Sequence, residues 1–289
     1  MKKLTYFVAL VIVAAAPSFA LAQGARSPLG GSEVDSSPLG PGWKPCPRCV
    51  DEDKLEIATE KAKDLPFNPR ILAGIWGRNG VGLDRRTVPE LTAWGAEQQA
   101  RTVTETVSNG KVVNKDPMLV CDPLGYPRSF TFNWGFEFIQ LPDRVLQFFE
   151  WGHSHRTIWT DGRPLPVDPE PRWFGYSVGR WEGNTLVVRS NGFDDRAWLT
   201  EDRARRRGYP QSLDMTLEER YERTSHVDLV VSLTVTDPKV FTKPWVTTAT
   251  IKLSPNTELW ENYCAPSDEI LHHEIIRPGE PLNGTNTAR

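Results

Sequence analysis

The stretch Trp173 to Phe193, WFGYSVGRWEGNTLVVRSNGF, decides the fold class. It reads as two β-strands meeting at Gly183-Asn184, a dipeptide that takes the positive φ angles of a tight type I′ turn. With a two-residue turn, Glu182 faces Thr185. Trp181 then pairs with Leu186 and Gly179 with Val188 on an apolar face, while Arg180 pairs with Val187 and Val178 with Arg189 on the opposite one. The first face belongs in a core. The second is half buried or lines something polar, and it is where function is to be looked for.

Strands follow closely on both sides. Phe136 to Leu141 and Arg144 to Trp151 are separated by Pro142-Asp143, and His155 to Thr160 follows a Gly152-His153-Ser154 loop. A three-residue loop predicts the pairs Trp151 with His155, Glu150 with Arg156, Phe148 with Ile158 and Leu146 with Thr160. The Pro-rich run Pro164 to Pro171 leads into the central hairpin. Beyond it, residues 194–209 form a loop long enough to be a lid, and Met215 to Arg223, Val227 to Thr236, Trp245 to Leu253 and Glu258 to Cys264 are strands. Asp51 to Asp64 and Thr92 to Thr106 read as short helices, and Asp116 to Phe130 as a Pro-interrupted extended connection. The expected fold is mainly β: an antiparallel meander closing as a barrel, or packing as a sandwich, with one or two short N-terminal helices. Residues 51–277 are expected to form this single domain, with a loose tail at 278–289.

The first residues carry Lys2-Lys3, an apolar run from Leu4 to about Ala16 and Ala20-Leu21-Ala22 before Gln23, the pattern of a secretory signal peptide over residues 1–22. Residues 23–50 read as a disordered Gly/Pro/Ser-rich linker carrying a CxxC. The expected product is secreted or periplasmic, without a membrane span. With 34 basic against 37 acidic residues, nucleic acid is not an expected partner. The 11 tryptophans favour a β-rich fold with aromatic packing. Cys46, Cys49, Cys121 and Cys264 allow three disulfide pairings; the favoured one joins Cys46 to Cys49 and Cys121 to Cys264. Cys49 is followed by Val50, so the CxxC is not a haem attachment motif.

Gly74-Ile75-Trp76, opening the strand-rich part, resembles the Gly-x-Trp of lipocalin-like barrels. That resemblance implies that Trp76 closes the bottom of the barrel, with an arginine from late in the chain over its ring. Residues from about Asn68 to Cys264 also resemble a family of uncharacterised secreted bacterial proteins. The matching segments are Gly74-Ile75-Trp76, Asp116-Pro117 through Cys121 to Gly125-x-Pro127-Arg128, Thr160 to Arg163, Ser177 to Val188, Gly192-Phe193, and Asp237-Pro238 with Phe241 to Trp245. That family commonly has a histidine where this chain has Tyr176, an aspartate at Arg189 and Pro-His-Ser-Glu at Pro210-Gln211-Ser212-Leu213. If those positions form a site, this chain has lost or altered it.

No G-x-S-x-G elbow, H-E-x-x-H, P-loop or G-x-G-x-x-G occurs. Ser177 and Ser190 sit in strands without an adjacent histidine. His153-x-His155 is not read as a metal half-site because the loop removes the shared face; His226, His272 and His273 complete the histidines. No metal and no cofactor are expected. Two functions from different classes remain. One is a barrel binding a small apolar or aromatic molecule in a Trp- and Phe-lined cup, with Trp76, Trp151, Trp159, Tyr176, Val178, Arg180 and Arg189 as candidate contacts. The other is a cofactor-free acid-base enzyme, a hydrolase or isomerase, drawing on Glu150, Arg156, Asp161, Arg163 and Asp195, with Glu182 and Asp194 nearby. The catalytic reading requires that at least two of Glu150, Arg156, Asp161, Arg180 and Asp195 meet at one point. A third option is an envelope structural or interaction protein with no pocket.

Overall fold

In the computed structural model, residues 60–264 are described, apart from 79–80, 82, 105, 109–110, 133, 203 and 256. The expected signal peptide, the linker with Cys46 and Cys49, His272, His273 and the 278–289 tail lie outside the described residues. Of the helix expected over Asp51 to Asp64, only the end is described, and residues 60–62 are helical.

In chain order the elements are β1 (Gly74–Trp76), α1 (Ala93–Arg101), β2 (Thr106–Ser108), β3 (Lys111–Val113), α2 (Arg128–Thr131), β4 (Phe136–Gln140), β5 (Arg144–Phe149) and β6 (His155–Trp159). They continue with β7 (Tyr176–Glu182), β8 (Thr185–Asn191), β9 (Trp198–Asp202), β10 (Arg207–Pro210), β11 (Thr216–Arg223), β12 (Asp228–Thr236) and β13 (Trp245–Lys252). Nine of the strands make one sheet, ordered β1-β4-β5-β6-β7-β8-β11-β12-β13, while β2–β3 and β9–β10 are separate hairpins. The sheet curls until its ends meet. Trp76 bridges Leu253, Gly77 N–H donates to the Lys252 carbonyl at 3.0 Å, and Ser254 N–H donates to that of Ile75 at 2.8 Å. The result is a nearly closed barrel in which the two sheet edges satisfy each other.

The central hairpin has the expected register. Glu182 faces Thr185, Trp181 faces Leu186, Gly179 faces Val188 and Val178 faces Arg189, with Gly183 at φ 60° in the turn. A side chain at Gly179 would bring its Cβ within 2.8 Å of Ile158 Cγ2, so only glycine lets β6 and β7 lie this close. Period-two burial is clearest in β12, where Leu229, Val231, Leu233 and Val235 are fully buried and alternate with half-buried neighbours. Each buried aliphatic side chain contributes about 1.5–3 kcal/mol relative to exposure. Trp76 is fully buried, and Arg223, from β11, places its guanidinium 5.3 Å from the indole centroid. The Cys121–Cys264 disulfide is formed as favoured.

Several expectations are corrected. In the β5–β6 pair, His155 faces Phe148 and Arg156 faces Gln147, so Glu150 does not face Arg156. The connection is longer than three residues because Trp151 leaves the ladder. It bridges Asn262 and packs on Phe132 and Trp134, while Gly152 and His153 take positive φ. β6 and β7 pair in parallel, since the Pro-rich connection between them returns the chain to the same end of the sheet. The helix at Thr92 ends at Arg101, and residues 194–209 contain the β9–β10 hairpin instead of an open loop. Glu258 to Cys264 carries no strand, its sheet contact being the single bridge at Asn262.

The connection at Asp116 to Phe130 is not simply extended. It makes a 3-10 turn at Pro117–Val120 and then α2, and its Tyr126 and Phe130 enter the core fully buried. Phe130 packs 5.2 Å from Phe136, and Tyr126 6.0 Å from Phe149. This segment plugs the barrel. Together with Trp76, Phe136, Phe138, Ile158, Leu186, Tyr221 and Trp245, all nearly fully buried, it fills the interior with side chains.

Candidate functional site

The outer face of the β7–β8 hairpin carries a cleft of about 400 Å³ between the hairpin and the strap Gly162 to Leu165. Strand alternation points Val178, Arg180, Val187 and Arg189 away from the core, so these four side chains form one wall. Val187 is only 2% exposed although it faces outward. Its cross-strand neighbours are Arg180 on β7 and Arg220 on β11, whose aliphatic stems suit them to covering apolar surface. Pro164 and Leu165 make the facing wall.

Guanidinium groups rim this apolar floor. Arg180 pairs with Glu182 at 2.6 Å, Glu182 also accepts from Arg220 at 3.0 Å, and Arg189 donates through Nε to Glu218 at 2.9 Å. Arg163 pairs with Asp161 at 2.5 Å and lies 3.5 Å over the Trp159 ring, which also has Arg144 4.1 Å from its centroid. Hydrogen bonds from Arg180 and Arg220 hold the Glu182 carboxyl below its ordinary range, and Arg163 does the same for Asp161. Both carboxylates are therefore charged at neutral pH. Among the described residues the terminal nitrogens of Arg189 have no protein acceptor, which leaves hydrogen-bonding capacity at the cleft mouth.

Asp161, Arg163, Trp159, Val178, Arg180 and Arg189 thus come to one face of the molecule. The other candidates do not. Trp76 is in the core and Trp151 stacks on Trp134 at 6.0 Å; Tyr176 shares the outer face of β7 with Val178 and Arg180, but its ring lies under Arg172 at 4.2 Å and does not line the cleft. Arg156 is sealed inside the barrel. It donates to both Glu219 oxygens at 2.7 and 2.8 Å, to Gln147 at 2.7 Å and to the Tyr221 hydroxyl at 3.0 Å, and it lies 3.7 Å from the Tyr126 ring centroid. The Tyr126 and Tyr221 hydroxyls both donate to Glu219. Burial, with the nearby Glu219 charge, raises both tyrosines well above the ordinary phenol range, although Arg156 opposes it. They are neutral donors at any physiological pH. Arg156 and Glu219 are 1% and 0% exposed in their side chains, so no substrate reaches them. Neither Glu219 nor the plug residue Tyr126 was singled out from sequence; the only signal was the inward alternation of Leu217, Glu219 and Tyr221.

Glu150 lies elsewhere again, beside a cavity of about 210 Å³ lined also by Glu137, Phe148 and His153. Its side chain is 1% exposed, its partner Arg78 is 3.3 Å away, and the Trp260 backbone N–H donates to it. Burial raises its pKa above the ordinary glutamate value of 4.5, with Arg78 only partly offsetting this. The folded state therefore holds the Glu150 proton more tightly than the unfolded chain does. The stability this gives is fully present below about pH 4.5 and is lost as pH rises through the folded-state value. Glu150→Gln is accordingly expected to raise the melting temperature at neutral pH, with the gain shrinking as the solution is acidified. Thermal melts across pH check this; a variant less stable at neutral pH contradicts it.

Asp195 lines a third cleft, beside Arg196 and Trp198. Glu150, Arg156 and Asp195 therefore lie in three separate places, while Asp161 and Arg180 share the outer hairpin face, each in its own ion pair, with Arg163 and Glu182. Ser177 and Ser190 bond each other at 2.8 Å inside the barrel. Among the described residues no group of three or more His, Cys, Asp and Glu is arranged to hold a metal. Comparison with known protein families, curated proteins and solved structures returns no match.

Proposed function

We propose that the protein is an exported β-barrel binder of a small apolar or aromatic molecule, and that the ligand sits in the hairpin cleft outside the barrel. One observation carries this reading: the half-buried Val178 and Leu165 face each other across a cleft under an arginine rim at the surface, while the barrel interior is already filled. An apolar body between Val178 and Leu165 gains from leaving water, and an acceptor group such as a carboxylate meets the Arg189 fork. Export is supported by the signal-like N-terminus and by the Cys121–Cys264 disulfide, which persists in oxidising compartments.

Calorimetric titration with octanoate tests the site. Val178→Glu places a carboxylate on the half-buried floor, where an uncompensated charge is costly. It is expected to weaken octanoate binding at least about tenfold, a change of about 1.4 kcal/mol. Arg189→Gln is expected to weaken octanoate more than octanol. Equal binding to the parent and to Val178→Glu excludes this cleft as the site.

A further inference from the structure

The third cleft, of about 370 Å³, lies between α1, the β9–β10 hairpin and the segment at Lys115 to Pro117, and it shares no lining residue with the hairpin cleft. Two tryptophans face it. Trp94, on the first turn of α1, is 40% exposed, which is unusual for so large an apolar side chain. Trp198, on β9, is 6% exposed and lies flat against Gly208 of β10, where a Cβ would come within 2.3 Å of the indole. The glycine fixes the ring's plane. Thr102, just past α1, bonds both the N–H and the carbonyl of Gly208, at 2.9 and 2.8 Å, so helix and hairpin are held as one unit.

The polar groups around this cleft are unevenly satisfied. Arg101 and Arg196 are ion-paired, with Glu97 at 2.5 Å and Asp194 at 2.6 Å. Lys115 has no carboxylate partner among the described residues. Gln211 is 2% exposed on the cleft wall; its Nε2 donates to the Asp194 carbonyl at 2.8 Å, and its Oε1 accepts no hydrogen bond. A buried carbonyl oxygen without a donor is uncommon in folded proteins. Aromatic surface, an unpaired cation and an orphan acceptor on one cavity describe a ligand with complementary parts.

We propose that this cleft binds a hydroxylated aromatic carboxylate. Its ring lies against Trp94 and Trp198, its carboxylate meets Lys115, and its hydroxyl donates to Gln211 Oε1. The proposal is independent of the hairpin cleft, and the Val178→Glu variant leaves it untouched.

The experiment is calorimetric titration of the full chain with 4-hydroxycinnamate, with cinnamate as the analogue lacking the hydroxyl. Binding is expected to fall by about tenfold or more in Trp94→Ala and in Lys115→Glu, both at exposed positions. The parent is expected to prefer 4-hydroxycinnamate over cinnamate, and Gln211→Leu to abolish that preference while still binding cinnamate. Absence of binding at millimolar probe, or undiminished binding in both Trp94→Ala and Lys115→Glu, overturns the proposal. So does a hydroxyl preference that survives in Gln211→Leu.

Discussion

Glu219→Ala is expected to destabilise the protein by about 3–5 kcal/mol, because it leaves a buried arginine without its counter-charge. Arg156 has no alternative carboxylate in its hydrogen-bond set; its remaining partners, Gln147 and Tyr221, are neutral. The two tyrosine hydroxyls also lose their acceptor, although at 3.1 Å they can still bond each other. Replacing the pair as a whole has a different expected outcome. Arg156→Met with Glu219→Leu removes both charges together, and well-packed apolar replacements of buried ion pairs are often neutral or stabilising. The double variant is therefore expected to be more stable than Glu219→Ala alone. Urea unfolding of the parent, the single and the double variant measures this, and equal losses in the two variants contradict the role given to charge compensation.

Removing the Cys121–Cys264 bridge is expected to lower stability by about 2–5 kcal/mol, toward the upper part of that range because the bridge closes a long loop. The two cysteines are separated by 143 residues, which spans the whole strand run from the plug to the end of the last connection. On the folded side the bridge holds the segment that returns along the barrel. There Trp260 lies 4.2 Å from the Arg78 guanidinium, and Asn262 N–H donates to His153 at 2.9 Å. A double Cys121→Ser, Cys264→Ser variant, unfolded beside the oxidised parent, gives the value directly. A loss near zero places the stability of the barrel entirely in its sheet and core.

The parts of this fold that were legible in the sequence are those set by local chemistry. Gly183-Asn184 pins the central register, because a one-residue slip would turn Leu186 and Val188 to solvent. The alternation in Val227 to Thr236 marks a strand with one buried face, and an even cysteine count pointed to a disulfide. What was not legible depended on distant partners. The β5–β6 register follows from Trp151 stacking on Trp134 and bridging Asn262, neither of which a local turn rule contains. In Thr216 to Arg223, TLEERYER, alternation puts Glu219 on the face of Leu217 and Tyr221, but nothing local supplies the counter-charge that lets a carboxylate sit there; its distant partner Arg156 does. For the same reason Arg156 was placed in a pocket with Glu150, when each is satisfied by a different neighbour. On the hairpin's outer face, strand alternation alone brings Val178, Arg180 and Arg189 together. Arg163 and Leu165 join them through a proline-rich strap whose path no periodicity encodes.

The proposed ligand occupies the outer hairpin face and not the barrel interior. Amide chemical-shift mapping during octanoate titration addresses it in one measurement. The expected result is saturable shifts centred on Val178, Gly179, Arg180, Val187 and Arg189, with the interior residues Trp76, Ile158 and Tyr221 unmoved. Shifts centred on those interior residues, or none at saturating octanoate, contradict it.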